Sequence, residues 1–315
     1  MSGRPAEIRP IRTLALVEVN WNGGDLTRRS LASVASGRCR PDAIYLVDNG
    51  SVDDSLEGVE KAADGIPVRI FRNDANLGFA KAVNRGIRAA LADGADAVFL
   101  LNNDALLNED TLAVLLEAVP RHPRGGLFAP KILSPEGRLW CAGMDVGLHP
   151  NLQKLRGLGR PDAGQFDREE PVDALTGCGL LIRREVFEEV GDFDEDFFVY
   201  VEDLDFCLRA RSAGFLCVHV PGSCMIHAAS SSTGGGYGAW RKHMLAYNLV
   251  TLLKKRGTPS LWGAFVLVEL AGWPLLLVSS FFRGRTQAVL AKGRGMWRAF
   301  LGGEPDPPPM GEAGG

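Results

Sequence analysis

The chain has 315 residues, of which 46 % are hydrophobic and 23 % charged, with a formal net charge of −3. That length can bury a full core in one large α/β domain with an appendage, and the charge balance excludes the basic footprint of a nucleic-acid binder. The six cysteines, Cys39, Cys141, Cys178, Cys207, Cys217 and Cys224, form no CxxC pair and sit mostly in apolar runs, which predicts small core residues in a reduced cytosolic setting.

Residues 1–12 carry Pro and Arg without periodicity and are expected to form a disordered lead with no signal peptide, because the first apolar run is only strand-length. LALVEVNWN then reads as a buried strand ending in the turn Asn22-Gly23-Gly24, followed by a helix from about Leu26 to Ala35. Pro41 introduces AIYLVDNGSVDD, a second strand running into Asp48. This βαβ opening predicts a parallel sheet, whose ligands sit at the carboxyl ends of the strands, where Asn22 and Asp48 are expected. Asp48 also suits an ordinary turn.

A third strand, VRIF, leads to NDANLGFAKAVNRGIRAAL, where Gly78 permits a close backbone approach. The helix from about Ala80 to Ala92 would present its N-terminal amides to a sugar or phosphate group. Asn76, Asn84 and Arg85 serve equally well as caps and surface residues. The next strand, Ala97 to Leu101, delivers Asn102, Asn103 and Asp104 to the same sheet edge. A strand-end carboxylate beside other acceptors suits a hard divalent cation that also holds phosphate oxygens, although an Asx turn before a helix at about 109–119 has the same composition.

Between Pro120 and Pro171, GLFAPKIL and RLWCAGMDVGL predict a hairpin-like pair of strands, and about 150–170 reads as a charged, mobile substrate-side loop or equally as a merely solvated connection. A small-residue turn, a strand and a helix at 172–191 precede FDEDFFVYVEDLDFCLR, which sets six carboxylates among five aromatic rings. Half-buried carboxylates need partners or a cation, so this density points to a functional acid as well as to a helix start. FLCVHVPGSCMIHAASS predicts two strand-like runs ending at His227, and SSSTGGGYG a loop that closes over a ligand.

Taken together, VNWN, VDNGSVDD, NLGFAKAVNRG, FLLNNDALL, LTGCGLLIRREVFEEVGDFDEDFFVYVEDLDFCLRARSAG and the later His resemble the inverting family 2 glycosyltransferases of the GT-A fold, and within them the rhamnosyltransferase-like members. The motifs run in the family's order over roughly two thirds of the chain. The resemblance implies an α/β fold with a Rossmann-like mixed sheet flanked by helices. It implies that Asp48 binds the base or ribose, that NNDA is the metal-binding motif for Mg²⁺ or Mn²⁺, and that Asp203 of the ED pair is the catalytic base. Asn22, Asn76, Gly78, Asn84, Asn103 and Asp104 would contact the nucleotide-sugar, with Glu202 supporting the base together with Asp205. His227 falls where some members place a second metal ligand, although a buried hydrogen-bonded imidazole is an equal reading. One departure stands out: the first acid of the metal motif is Asn102, leaving Asp104 as its charged ligand.

The chemistry agrees with that assignment, since attack of an acceptor hydroxyl on C1 with loss of a diphosphate needs one base and one cation. A glycoside hydrolase would need a second carboxyl as acid for its alkoxide leaving group. A nucleotidyltransferase would need a Gly/Arg-rich phosphate loop near the N-terminus, which is missing, and a catalytically silent sugar-nucleotide-binding scaffold is the alternative from another class.

HMLAYNLVTLLKKR predicts an amphipathic helix with a basic end, and LWGAFVLVELAGWPLLLVSSFF an apolar run interrupted by Glu269 and Pro274. With Lys254, Lys255 and Arg256 before it and Arg283 and Arg285 after it, an interfacial or re-entrant helix pair on an anionic membrane surface is expected. A core helix or a dimer contact has the same pattern. The expected organisation is a lead at 1–12, a GT-A domain at 13–242, a helical membrane-associated tail at 243–303 and disorder at 304–315. The expected partners are dTDP-rhamnose or a UDP-sugar, a saccharide acceptor carried on a lipid, and the cytoplasmic face of the cell membrane, with a homo-oligomer left open.

Overall fold

The computed structural model describes residues 9–228, 238–282 and 284–306. The N-terminal part alternates strand and helix: β1 (Leu14–Asn20), α1 (Asp25–Ala35), β2 (Ala43–Asp48), α2 (Val59–Ala62), β3 (Val68–Arg72), α3 (Phe79–Ala92) and β4 (Ala97–Asn102). Strands β3, β2, β1 and β4 lie side by side and parallel. The apolar runs of β1, β2 and β4 are buried on both faces, as a parallel sheet between helices requires, while the edge strand β3 is only partly covered. The register pairs Asn20 with Asp48 and Val19 with Asn102, which brings the carboxyl ends of β1, β2 and β4 to one edge.

The second half completes the sheet. It contains β5 (Ala105–Leu107), α4 (Thr111–Ala118), β6 (Gly125–Leu133), β7 (Leu139–Cys141), β8 (Met144–Val146), β9 (Gln153–Leu155), β10 (Glu170–Val172), β11 (Gly179–Arg183), α5 (Arg184–Val190), α6 (Glu202–Ser212) and β12 (Leu216–His227). The strand order is β10-β12-β6-β11-β4-β1-β2-β3, with β11 antiparallel to both of its neighbours. The mixed sheet flanked by helices is therefore the predicted one.

Two expectations change. The runs before His227 form one strand, because β12 absorbs Pro221 and Gly222 in a bulge between Val220 and Cys224 while it stays paired with β6. The segment at 150–170 is tethered: Lys131 Nζ reaches Asp162 at 2.9 Å and also bonds Asp167, while His219 Nε2 meets the Phe166 carbonyl at 3.1 Å. The predicted loop at 230–238 lies outside the described residues except for Gly238.

The C-terminal part is helical: α7 (Ala239–Arg256), α8 (Pro259–Phe265), α9 (Trp273–Phe282) and α10 (Thr286–Leu301). Thr258 caps α8, accepting from Leu261 N at 3.3 Å, with Pro259 in the first turn where its missing N–H is harmless. A π-helical turn at Val266–Leu270 and a bend at 271–272 divide the apolar run into two pieces, as Pro274 foretells. The basic end of α7 is exposed, and its side chains also hold partners within the protein. Lys255 pairs with Asp194 and Asp196, Arg256 with Asp194 and Asp205, and Lys254 donates to the carbonyls of Ala299 and Phe300. Arg283 lies outside the described residues.

Candidate functional site

A cleft of about 980 Å³ opens at the carboxyl edge of the sheet, and both Asp104 and Asp203 line it. Asp104 follows β4 by two residues, and β5 pairs antiparallel with the end of β12, setting Ala105 opposite His227. That pairing carries His227 Nε2 to 3.0 Å from Asp104 Oδ1. Neither ring nitrogen of His227 makes a hydrogen bond among the described residues, although the ring is buried with its neighbour Trp140 edge-on at 4.5 Å. A buried imidazole without bonds, close to a carboxylate, is the donor pair that a divalent cation would complete. Among the described residues no group of three such side chains converges, so remaining positions would fall to ligand or water oxygens.

Asp203 stands in the first turn of α6. Its Oδ2 accepts from Gly177 N at 3.1 Å and its Oδ1 from Leu204 N at 2.8 Å, with the Thr176 hydroxyl adding a third bond. Burial raises its pKa, and these donors oppose the rise. Glu202 beside it is driven well above the carboxylate range by burial and then by the charge on Asp203, and its Oε2 has no hydrogen-bond partner among the described residues. Of the two, Asp203 has the hydrogen-bond donors that favour its charged form, and Glu202 is raised further by the charge beside it. An ionised, oriented carboxylate with an elevated pKa is a competent general base.

The backbone before this pair is strained. Tyr200 and Val201 have φ of 69° and 74°, a region that a β-branched residue almost never adopts. Helix α7 holds them there: Asn248 Nδ2 donates to the carbonyls of Val199 at 2.8 Å and Tyr200 at 2.9 Å. Asp205 does not orient the base or the acceptor as expected, because it is fully buried against Arg209 and Arg256.

The nucleotide side is divided. Asn76, Gly78, Asn103 and Asp104 line the cleft together with Asn49, which the sequence reading left out. Asn49 ties its loop together, donating to Asn76 Oδ1 at 2.9 Å and accepting from Leu77 N at 3.0 Å. The close approach at Gly78 is made by the protein itself, since a Cβ there would lie 2.5 Å from the Phe198 carbonyl oxygen. That same carbonyl takes the Phe79 N–H at 2.6 Å, so the first amide of α3 serves Phe198 and not a phosphate. Asn84 is not at the cleft: it is buried and clamps Phe193 through the carbonyl at 2.8 Å and the N–H at 3.0 Å. Asn22 fastens the turn after β1 to the next one, accepting from Val52 N at 2.8 Å. The Asp48 carboxylate sits behind the wall, accepting from Asn20 Nδ2 at 3.0 Å.

Sequence reading also missed Trp21, Trp140, Thr176 and the pair Arg241 and Lys242, all of which line the cleft. The two cations stand on the first turns of α7, ahead of the predicted helix start. Arg241 covers the Tyr200 ring at 5.4 Å, and its buried Nε has no hydrogen-bond partner among the described residues.

Comparison with known proteins completes this description. The sequence matches the model of Glycosyl transferase family 2 over residues 19–191 and that of Glycosyl transferase family group 2 over residues 165–300. It is 33 % identical over 246 residues to N-acetylglucosaminyl-diphospho-decaprenol L-rhamnosyltransferase of Mycobacterium tuberculosis, covering 70 % of this chain and 78 % of that protein. It is 25 % identical over 188 residues to dTDP-rhamnosyl transferase RfbF of Shigella flexneri, covering 59 % of each. Among solved structures, the mannosyltransferase PcManGT from Pyrobaculum calidifontis, in complex with GDP-Man and Mn²⁺, superposes with a TM-score of 0.59 at 17 % identity, covering 94 % of this chain and 92 % of that one. The chain is a GT-A glycosyltransferase and belongs to glycosyl transferase family 2.

Proposed function

We propose that the protein transfers a sugar, L-rhamnose first among the candidates, from a nucleoside diphosphate donor to a lipid-linked saccharide with inversion at the anomeric carbon. The observation that carries this reading is the shared cleft: Asp203 and Asp104 both line one cavity. In a single displacement the acceptor oxygen attacks C1, its proton passes to Asp203, and the bond from C1 to the diphosphate oxygen breaks with its electron pair leaving on the phosphate. Glu202 keeps its own proton and so does not compete as base.

Asp104 and His227 would hold a divalent cation, Mg²⁺ or Mn²⁺, which when bound offsets the negative charge of the leaving diphosphate. The uncharged Asn102 in the metal motif lowers the negative charge of the site, and Arg241 and Lys242 on the cleft wall supply positive charge toward the same diphosphate. The named activities of the two rhamnosyltransferase relatives support the donor and the diphospholipid acceptor.

The tail supports a membrane-surface location. Pro259–Phe282, at 24 residues with a mean hydropathy of 1.9 over an 18-residue window, is long and apolar enough to cross a bilayer, yet it is broken in the middle. Leu275, Phe281 and Phe282 are 77 %, 73 % and 82 % exposed, a face suited to lie in a lipid interface.

The test is direct. The purified protein is given dTDP-rhamnose, Mg²⁺ or Mn²⁺, and a GlcNAc-diphospho-lipid with a short prenyl chain, and the product anomer is read by NMR. Transfer with the anomeric configuration opposite to that of the donor is expected. Retention of configuration would remove the single-displacement mechanism, and transfer only to water-soluble saccharides would remove the lipid-linked acceptor.

A further inference from the structure

Glu269 is the single charged residue between Pro259 and Phe282, yet it is only 2 % exposed. Its carboxylate has two partners from different parts of the fold. Oε2 pairs with Lys292 Nζ of α10, and Oε1 accepts from the backbone N–H of Asn151 at 2.5 Å. Asn151 belongs to the turn between β8 and β9, and Pro150, Asn151, Gln153, Lys154 and Leu155 form one wall of the cleft. A burial this costly is sustained only if both charges and lone pairs are matched, and here one of the matches is an active-site wall.

That wall needs an outside hold. Asn151 and Leu152 have consecutive φ values of 58° and 57°, a strained conformation for leucine. Leu152 is fully buried in the cluster that joins α7, α8 and α10, with Leu249, Phe265 and Met296. Gln153, next in sequence, lines the cleft with a buried Oε1 that has no hydrogen-bond partner among the described residues, as an acceptor waiting for a hydroxyl donor would. The wall is thus fastened at two points to the helical tail that also carries the exposed apolar face of α9.

We propose that Glu269 is a positioning residue for the acceptor substrate: its bond to Asn151, set by Lys292, fixes the 150–155 wall relative to the apolar helices and so aligns a lipid-linked saccharide with Asp203. This rests on the lipid-linked acceptor proposed above. No latch residue belongs to the loops after β1, β2 and β4 that line the donor side of the cleft, and the charges of Glu269 and Lys292 reach that side only through Lys242 on α7.

Two double variants of the full chain test it, assayed with dTDP-rhamnose and the short-chain GlcNAc-diphospho-lipid. E269M/K292M removes the pair and leaves Asn151 without an acceptor, whereas E269Q/K292M keeps an oxygen for that N–H. The first is expected to raise the acceptor KM roughly tenfold and the second to stay within about threefold of wild type, with the same donor KM in both, since both remove the charges that act on Lys242. Equal acceptor KM in the two variants, or a donor KM that differs between them as the acceptor KM does, would overturn the proposal. If the wild-type protein transfers nothing to the lipid probe, the acceptor reading fails by itself, and hydrogen exchange then decides the latch. The wild-type Asn151 amide is expected to be protected, and residues 147–158 to exchange faster in E269M/K292M only. Rapid exchange of Asn151 in the wild-type protein would end the proposal whether or not either variant folds.

Discussion

The N–H of Gly177 donates to Asp203 Oδ2 at 3.1 Å, from the loop between β10 and β11. This bond orients the carboxylate toward the cleft, and an isosteric amide keeps its oxygen for it, giving up only the acceptor for Leu204 N–H, the cost of a single hydrogen bond. Asp203→Asn is therefore expected to keep the fold and donor binding while transfer falls by about 10²–10⁴-fold, the usual contribution of a general base. Steady-state turnover and nucleotide thermal shift measured side by side check this. Unchanged turnover would remove Asp203 from the reaction.

Asp104 and His227 are joined by the pairing of β5 with β12, so the two should act as a unit. His227→Ala is expected to raise the Mg²⁺ or Mn²⁺ concentration for half-maximal activity, and Asp104→Ala to raise it further, because a carboxylate supplies charge as well as a ligand. A metal titration of each variant at saturating donor reads this. Identical titration curves for wild type and both variants would count against a cation at this place.

Asn248 satisfies two carbonyls in the strained turn before the acidic pair. Its replacement by Ala leaves both carbonyls without that donor and should cost about 1–3 kcal/mol of stability. Turnover should fall as well, since Glu202 and Asp203 follow directly. Chemical denaturation and kcat measured on the same protein test the pairing of the two losses.

Glu18, under the site in β1, is fully buried beside Ser30, and burial pushes its pKa up to about 8. The folded protein therefore binds a proton here that the unfolded chain releases above its ordinary value of 4.5. Stability from this group is fully present below that ordinary value and declines as pH rises toward about 8. Glu18→Gln, which keeps an oxygen for the Ser30 hydroxyl, should flatten the decline, making the variant more stable than wild type at pH 8.5 relative to pH 5. Melting curves across that range give the answer.

Phe281 and Phe282 end the exposed face of α9. Replacing both with Ser removes roughly 2–4 kcal/mol of apolar burial on transfer to a lipid interface and should abolish co-sedimentation with anionic vesicles. Binding of the nucleotide should not change, because neither ring reaches the cleft. Undiminished vesicle binding would assign the face to protein contact.

The elements that set the sheet were legible because their signals are local: an apolar run of strand length followed by Asn, Asp or Gly marks β1, β2 and β4 without reference to the rest of the chain. The cleft was legible in Asp104 from its own strand end and in Glu202 and Asp203 from the density of acids among aromatics before a helix. The group that needs the empty side of Gly78, Phe198, was not legible because it lies far along the chain, and Asn84 was placed at the cleft because an amide on a helix looks the same whether it meets a ligand or the backbone of Phe193. Lys255 and Arg256 were legible as a basic cluster, but their partners in the protein were not. Charge is visible in a sequence, but the acids that neutralise it here, Asp194, Asp196 and Asp205, belong to the catalytic stretch.

Those ion pairs, with the amide of Asn248, carry a practical implication for any shortened form of the enzyme. A fragment that stops near residue 242, where the sheet is complete, would lose the clamp on Tyr200 and Val201 and let the turn relax to ordinary backbone angles. Soluble catalytic fragments should therefore be cut beyond Arg256, so that α7 stays with the half of the protein it braces.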